Sequence, residues 1–78
     1  MGTAELVKYL AQCLVDEPEH VEVEEAKGER SSVIRLRVAD EDVGKVIGRR
    51  GRIVRAIRVV AKAAAAREGI RVDVEIAE

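Results

Sequence analysis

The chain has almost no aromatic side chains: Tyr9 is the only one, with no Trp or Phe among 78 residues. A core must therefore be packed from valine, isoleucine, leucine and alanine, and 47% hydrophobic content is enough for one. Cysteine and histidine are equally scarce. Cys13 alone forms no intramolecular disulfide and no cysteine-based metal site, and His20 alone assembles no zinc site. No apolar stretch approaches the roughly 20 residues that span a bilayer, and there is no signal-peptide pattern. Leu6 stands where a myristoylation motif beginning at Gly2 needs Ser or Thr. The expectation is a soluble chain in the reducing cytoplasm, with no metal, no cofactor and no membrane partner.

What is present is charge, and it is segregated. Residues 1–29 hold eight acids against Lys8 and Lys27, a net of −6. Residues 45–67 hold eight cations and no acid, a net of +8, although the whole chain carries −1. A phosphate meets a local field, so the distribution outweighs the sum. Ten of the fourteen cations are arginine, which suits bidentate phosphate contacts and stacking on bases.

Hydrophobic spacing sets the element order. Thr3 is placed to cap a first helix in which Leu6, Val7, Leu10, Cys13 and Leu14 recur at helical spacing until Pro18. From about His20 the period becomes two, with Val21 and Val23 alternating with glutamates. Residues 27–32 read as a turn, and Ile34, Leu36 and Val38 form one face of a second strand. Asp40 suits the cap of a short helix over 41–47, which Gly48 ends. A longer helix follows from about Arg52 to Glu68, with Ile53, Ile57, Val60 and Ala64 as its buried stripe, joined by Val54 and Ala61. Gly69 closes it, and residues 70–76 alternate as a last strand. The order α-β-β-α-α-β, with one apolar face per strand, predicts an α+β fold: one domain over residues 1–78, a three-stranded sheet covered on one face by three helices.

The run from Val46 to Ile53 concentrates the chemistry. Gly48 and Gly51 bracket Arg49 and Arg50 where two helices meet, and glycine lets a ligand's backbone come close. Unpaired amides and the dipole at the start of the long helix favour an anion there. The structural alternative is a tight turn whose glycines only permit the backbone angles. Arg52, Arg55, Arg58 and Lys62 continue the charge along the helix at three- and four-residue spacing, with no acid interspersed before Glu68. The alternative for that stripe is a solvated face. Catalytic readings find little. Acids 40–42 suit a helix start, Cys13 suits a small core position, and the glycines lack the spacing and Lys-Ser/Thr ending of a P-loop.

The run Gly44-Lys45-Val46-Ile47-Gly48-Arg49-Arg50-Gly51-Arg52-Ile53 resembles the signature of KH domains, and the element order resembles their type II arrangement. Nearly the whole chain, including Tyr9-Leu10 and Ala56-Ile57-Arg58, is similar to the small bacterial single-KH-domain proteins of the KhpA family. That resemblance implies single-stranded RNA binding without catalysis, by a GXXG loop that clamps about four nucleotides. Carried over, Gly48, Arg49, Arg50 and Gly51 contact the sugar–phosphate backbone. Gly44, Val46, Ile47, Ile53 and Ile57 supply or support an aliphatic floor, and Lys45, Arg52 and Arg55 complete the RNA-binding set. The doubly basic Arg49-Arg50 departs from relatives, which often pair one basic with one polar residue. The resemblance further implies an RNA chaperone or post-transcriptional regulator acting as a homodimer, or as a heterodimer with a larger KH-containing protein. Two other functions fit the same residues: a protein-interaction adaptor that keeps the loop as structure, and a single-stranded DNA binder.

Overall fold

A computed structural model describes residues 2–77. It contains α1 (Thr3–Leu14), β1 (Glu22–Lys27), β2 (Ser31–Arg37), α2 (Val43–Ile47), α3 (Arg52–Ala66) and β3 (Arg71–Ile76), with 3-10 turns at Pro18–His20, Asp40–Asp42 and Arg49–Gly51. The sheet order is β1-β2-β3. β1 runs antiparallel to β2, from Glu22 opposite Arg37 to Lys27 opposite Ser32, joined by a turn in which the Gly28 amide donates to the Ser31 carbonyl at 2.7 Å. β2 and β3 are parallel, from Ser31 opposite Arg71 to Leu36 opposite Ile76. Parallel strands need a long crossover, and here that crossover is α2, the glycine turn and α3. The α+β order expected from the sequence is the one observed.

Alternation decides the faces. Ile34, Leu36, Val72 and Val74 are buried under the helices. Arg35, Arg37, Asp73 and Glu75 point to the other, solvated face, where Arg35 lies 3.4 Å from Glu75. α1 and α3 cover the sheet, and α2 rests mainly on those two helices. Val7, Ala11, Val46, Ile57, Ala61 and Ala65 complete the core with the strand residues.

Several local expectations are corrected. The extended residue ahead of α1 is Gly2, with no side-chain cap, so Thr3 is the first helical residue and not the cap. Asp40 likewise opens a 3-10 turn behind Ala39, and the short helix begins only at Val43. Gly69 does stand where the sequence put it. Its amide donates to Ala66 and that of Ile70 to Ala65, the paired bonds of a Schellman closure.

The buried stripes are rotated. α3 buries Val54, Ile57, Ala61 and Ala65, whereas Ile53 and Ala64 are half-buried and Val60 is 41% exposed. α1 buries Val7 and Ala11, leaving Leu6 and Leu10 half-buried and Cys13 and Leu14 exposed. α3 carries aliphatic residues around more than half its circumference, and those of α1 span a wider arc than the buried pair Val7 and Ala11, so periodicity alone does not select the face that meets the sheet.

Candidate nucleic-acid interface

The turn joining α2 to α3 is built from an unusual run of backbone angles. Gly48 has φ 77 and ψ 174, Arg50 has φ 58 and ψ 26, and Gly51 has φ 71 and ψ 19. The Gly48 amide donates to the Gly44 carbonyl at 2.9 Å, and the Gly51 amide donates to the Gly48 carbonyl at 3.1 Å. Gly48 also lies against the next helix, since a Cβ there would stand 2.6 Å from Cγ1 of Ile53. A left-handed arginine is uncommon and costs about 1–2 kcal/mol, so Arg50 needs support from its surroundings.

Arg55 supplies some of it. Its side chain folds back one turn, donating from Nη2 to the Arg50 carbonyl at 2.8 Å and from Nε to the Gly51 carbonyl at 3.3 Å. The sequence placed Arg55 among ligand contacts; the structure shows it bracing the turn. Arg49, Arg50 and Arg52 differ from it. All three are exposed, and their side chains make no hydrogen bond or ion pair among the described residues. Gly51 precedes α3 with no side-chain cap, and the amide of Arg52, the first residue of α3, donates to the Arg49 carbonyl.

Lys45 is engaged elsewhere. Its Nζ lies 3.1 Å from Asp16 and 3.4 Å from Asp42. Asp42 is only 1% exposed and also accepts the Glu17 amide at 3.1 Å. Burial pushes the Asp42 carboxyl up, but the amides of Glu17 and Asp16 and the Lys45 ammonium outweigh it, and its pKa falls below the ordinary value. Bonds to the two aspartates, Asp16 first, raise the Lys45 pKa. The trio ties the start of α2 to the segment after α1, and so fixes the helix that delivers the turn. Nothing in the sequence marks it, because Asp42 and Glu17 are 25 residues apart.

The apolar residues expected beneath the turn divide by depth. Val46 and Ile57 are core residues, while Ile47 and Ile53 are half-buried beside Gly48, and Gly44 is exposed on α2. Arg58, part of the basic stripe in sequence, makes a bond the sequence does not signal: it reaches from α3 to the Val74 carbonyl, donating from Nε at 3.0 Å. Among the described residues, one group has metal-ligand proximity, namely Glu17, Glu19 and His20 on an exposed turn. Three such ligands fall short of the closed four-ligand set of a structural zinc site.

Comparison with known proteins shows the family. The model of the KhpA/KhpB KH domain matches residues 4–76. The chain is 58% identical to RNA-binding protein KhpA of Caldanaerobacter subterraneus subsp. tengcongensis and 56% identical to that of Clostridium perfringens, in each case over 92% of this chain and 96% of the relative. It is 47% identical to RNA-binding protein KhpA of Borreliella burgdorferi, over 92% of this chain and 88% of the relative.

Proposed function

Because the chain belongs to the KhpA/KhpB family of KH domains, we propose that it binds single-stranded RNA at the Gly48–Gly51 turn without catalysing a reaction. The observation that carries this is that Arg49, Arg50 and Arg52, at the start of α3, have no side-chain partner among the described residues. Cations with no internal partner break no internal contact when they meet phosphate, and the dipole at the start of α3 favours the same charge. Gly44, Ile47 and Ile53 give the neighbouring surface an aliphatic character suited to base contact without aromatic stacking. Lys45 and Arg55 serve the same site from behind, by holding α2 and the turn.

Salt dependence tests this reading. Each phosphate neutralised on a single strand contributes a log–log slope of about −0.7, so three arginine contacts predict about −2 for a short unstructured RNA. A slope near zero, or no binding at low salt, would favour the adaptor. Equal competition by a matched DNA oligomer would favour a binder indifferent to the 2′-hydroxyl.

A footprint of about four nucleotides gives weak affinity alone, and pairing two such sites raises it through effective concentration. We infer a dimer, homotypic or with a larger KH-containing protein, acting in the cytoplasm as an RNA chaperone or post-transcriptional regulator. What supports the pairing is the outer side of α3, where Val59 is 67% and Val60 41% exposed beside the exposed Ala56 and Ala63. Val59→Asp is expected to shift the sedimenting species to monomer and to weaken RNA binding while leaving the fold intact. A wild-type chain that sediments as a monomer at all accessible concentrations would remove the homodimer. None of the described helices is long and apolar enough to cross a membrane.

A further inference from the structure

Arg58 is held differently from every other arginine on α3. It lies seven residues beyond Gly51, about 10 Å along the helix axis, on the flank that faces β3. β3 is an edge strand, hydrogen-bonded to β2 on one side only. The Val74 carbonyl accepts the Arg58 Nε–H at 3.0 Å, which places the guanidinium across the crevice between α3 and that edge. The side chain is half-buried, unlike those of Arg49, Arg50, Arg52 and Arg55. Its Nη1 and Nη2 groups make no hydrogen bond or ion pair among the described residues.

A guanidinium is planar, with five donors in a fixed fork. Once Nε is held by Val74, the plane is set and the Nη1/Nη2 pair remains. Arg58 lines an open hollow with Arg35, Arg37, Glu75, Ile76 and Ala77. α3 and β3 are joined by a tight turn at Gly69 and run in opposite directions, so this hollow at the end of β3 lies beside the first turns of α3. It is thus on the same side of the molecule as the glycine turn proposed to hold the RNA backbone. A phosphate can also take such a fork, but the backbone contacts proposed above lie at the turn, about 10 Å away along α3. A fork fixed beside Ile76 in a half-buried crevice is placed for a base edge.

Resting on the RNA-binding reading, we propose that Arg58 is a specificity-determining residue that reads one base through its Nη pair. The pair requires two adjacent acceptors. Guanine offers O6 and N7, and cytosine offers N3 and O2. Adenine and uracil place a donor beside each acceptor on the edges they present, and satisfy only half of the fork. The site therefore selects cytosine or guanine at one position of the bound strand.

The test uses uracil hexamers carrying one central cytosine, guanine or adenine, bound to the full chain. The wild type is expected to bind the cytosine or the guanine hexamer about tenfold or more tightly than the adenine and all-uracil ones, since a good bidentate pair discriminates on that order. Arg58→Met, which keeps the apolar stem, is expected to reduce this preference to within about twofold with an unchanged salt slope. Arg58→Lys, a milder change, should show the same loss. The inference is overturned if the wild type binds all four hexamers equally, or if the preference survives in both variants. It is also overturned if the slope weakens by about 0.7, which marks a phosphate contact. Absence of binding to every hexamer overturns the RNA-binding reading itself, and so separates the two.

Discussion

Replacing Arg49 and Arg50 together by aspartate is expected to lower affinity for a short single-stranded RNA by about 100-fold or more, with a melting temperature within a few degrees of wild type. Both side chains are exposed and make no internal bond among the described residues, so their loss removes no contact from the fold. The substitution also respects the backbone. Arg50 has φ 58, and aspartate is among the non-glycine residues enriched in that region. The effect on binding comes from a change of four charge units beside the phosphates, where two attractions become two repulsions. Fluorescence anisotropy at low salt and a thermal melt followed by circular dichroism measure the two halves separately. Full RNA affinity in the variant would refute the placement of the site at this turn. A collapse in stability would show that the arginines hold the turn together, contrary to their geometry.

The turn was legible because glycine spacing and charge are local signals. Gly48 and Gly51 do take the positive φ values their identity suggests, and the alternation at 33–38 and 70–76 gave the strands their buried faces. What was hidden depends on partners distant in sequence or on the rotation of a helix. Cys13 and Val60 were read as core because periodicity counts aliphatic residues without knowing which side meets the sheet; both are exposed. Asp42 read as a helix-start residue and does precede α2, but its burial and its bond to an amide 25 positions away carry no local signal. The arginine stripe on α3 looked uniform in sequence. Three-dimensional placement divides it: Arg52, like Arg49 and Arg50 of the turn, has no side-chain partner among the described residues, whereas Arg55 is turned onto the carbonyls of Arg50 and Gly51, and Arg58 onto Val74. Equal residue types at regular spacing thus acquire unequal roles from the carbonyls within their reach.

The two glycines of the turn, equivalent in the motif, are expected to respond unequally to alanine. Gly51 has φ 71 and ψ 19, and a Cβ there would meet only Val54 Cγ1 at 3.8 Å, an ordinary contact. Gly51→Ala should therefore cost only the left-handed conformation, about 1–2 kcal/mol. Gly48 has φ 77 and ψ 174, a region essentially restricted to glycine. Its Cβ would stand 2.6 Å from Cγ1 and 2.9 Å from both Cβ and Cδ1 of Ile53. Ile53 packs against the core, so it cannot swing clear without disturbing the first turn of α3. Strain and overpacking together predict a loss of about 3–5 kcal/mol for Gly48→Ala. At about 4–8 °C per kcal/mol for a domain of this size, the melting temperature should fall by well over 10 °C, against roughly half that or less for Gly51→Ala. Adding Ile53→Ala to Gly48→Ala removes the contacts to Cγ1 and Cδ1 and leaves the close approach to Cβ and the backbone strain, so the double variant should lose less than the sum of the singles. Equal losses for the two glycine variants, or strict additivity in the double, would show that Ile53 does not set the spacing between Gly48 and α3.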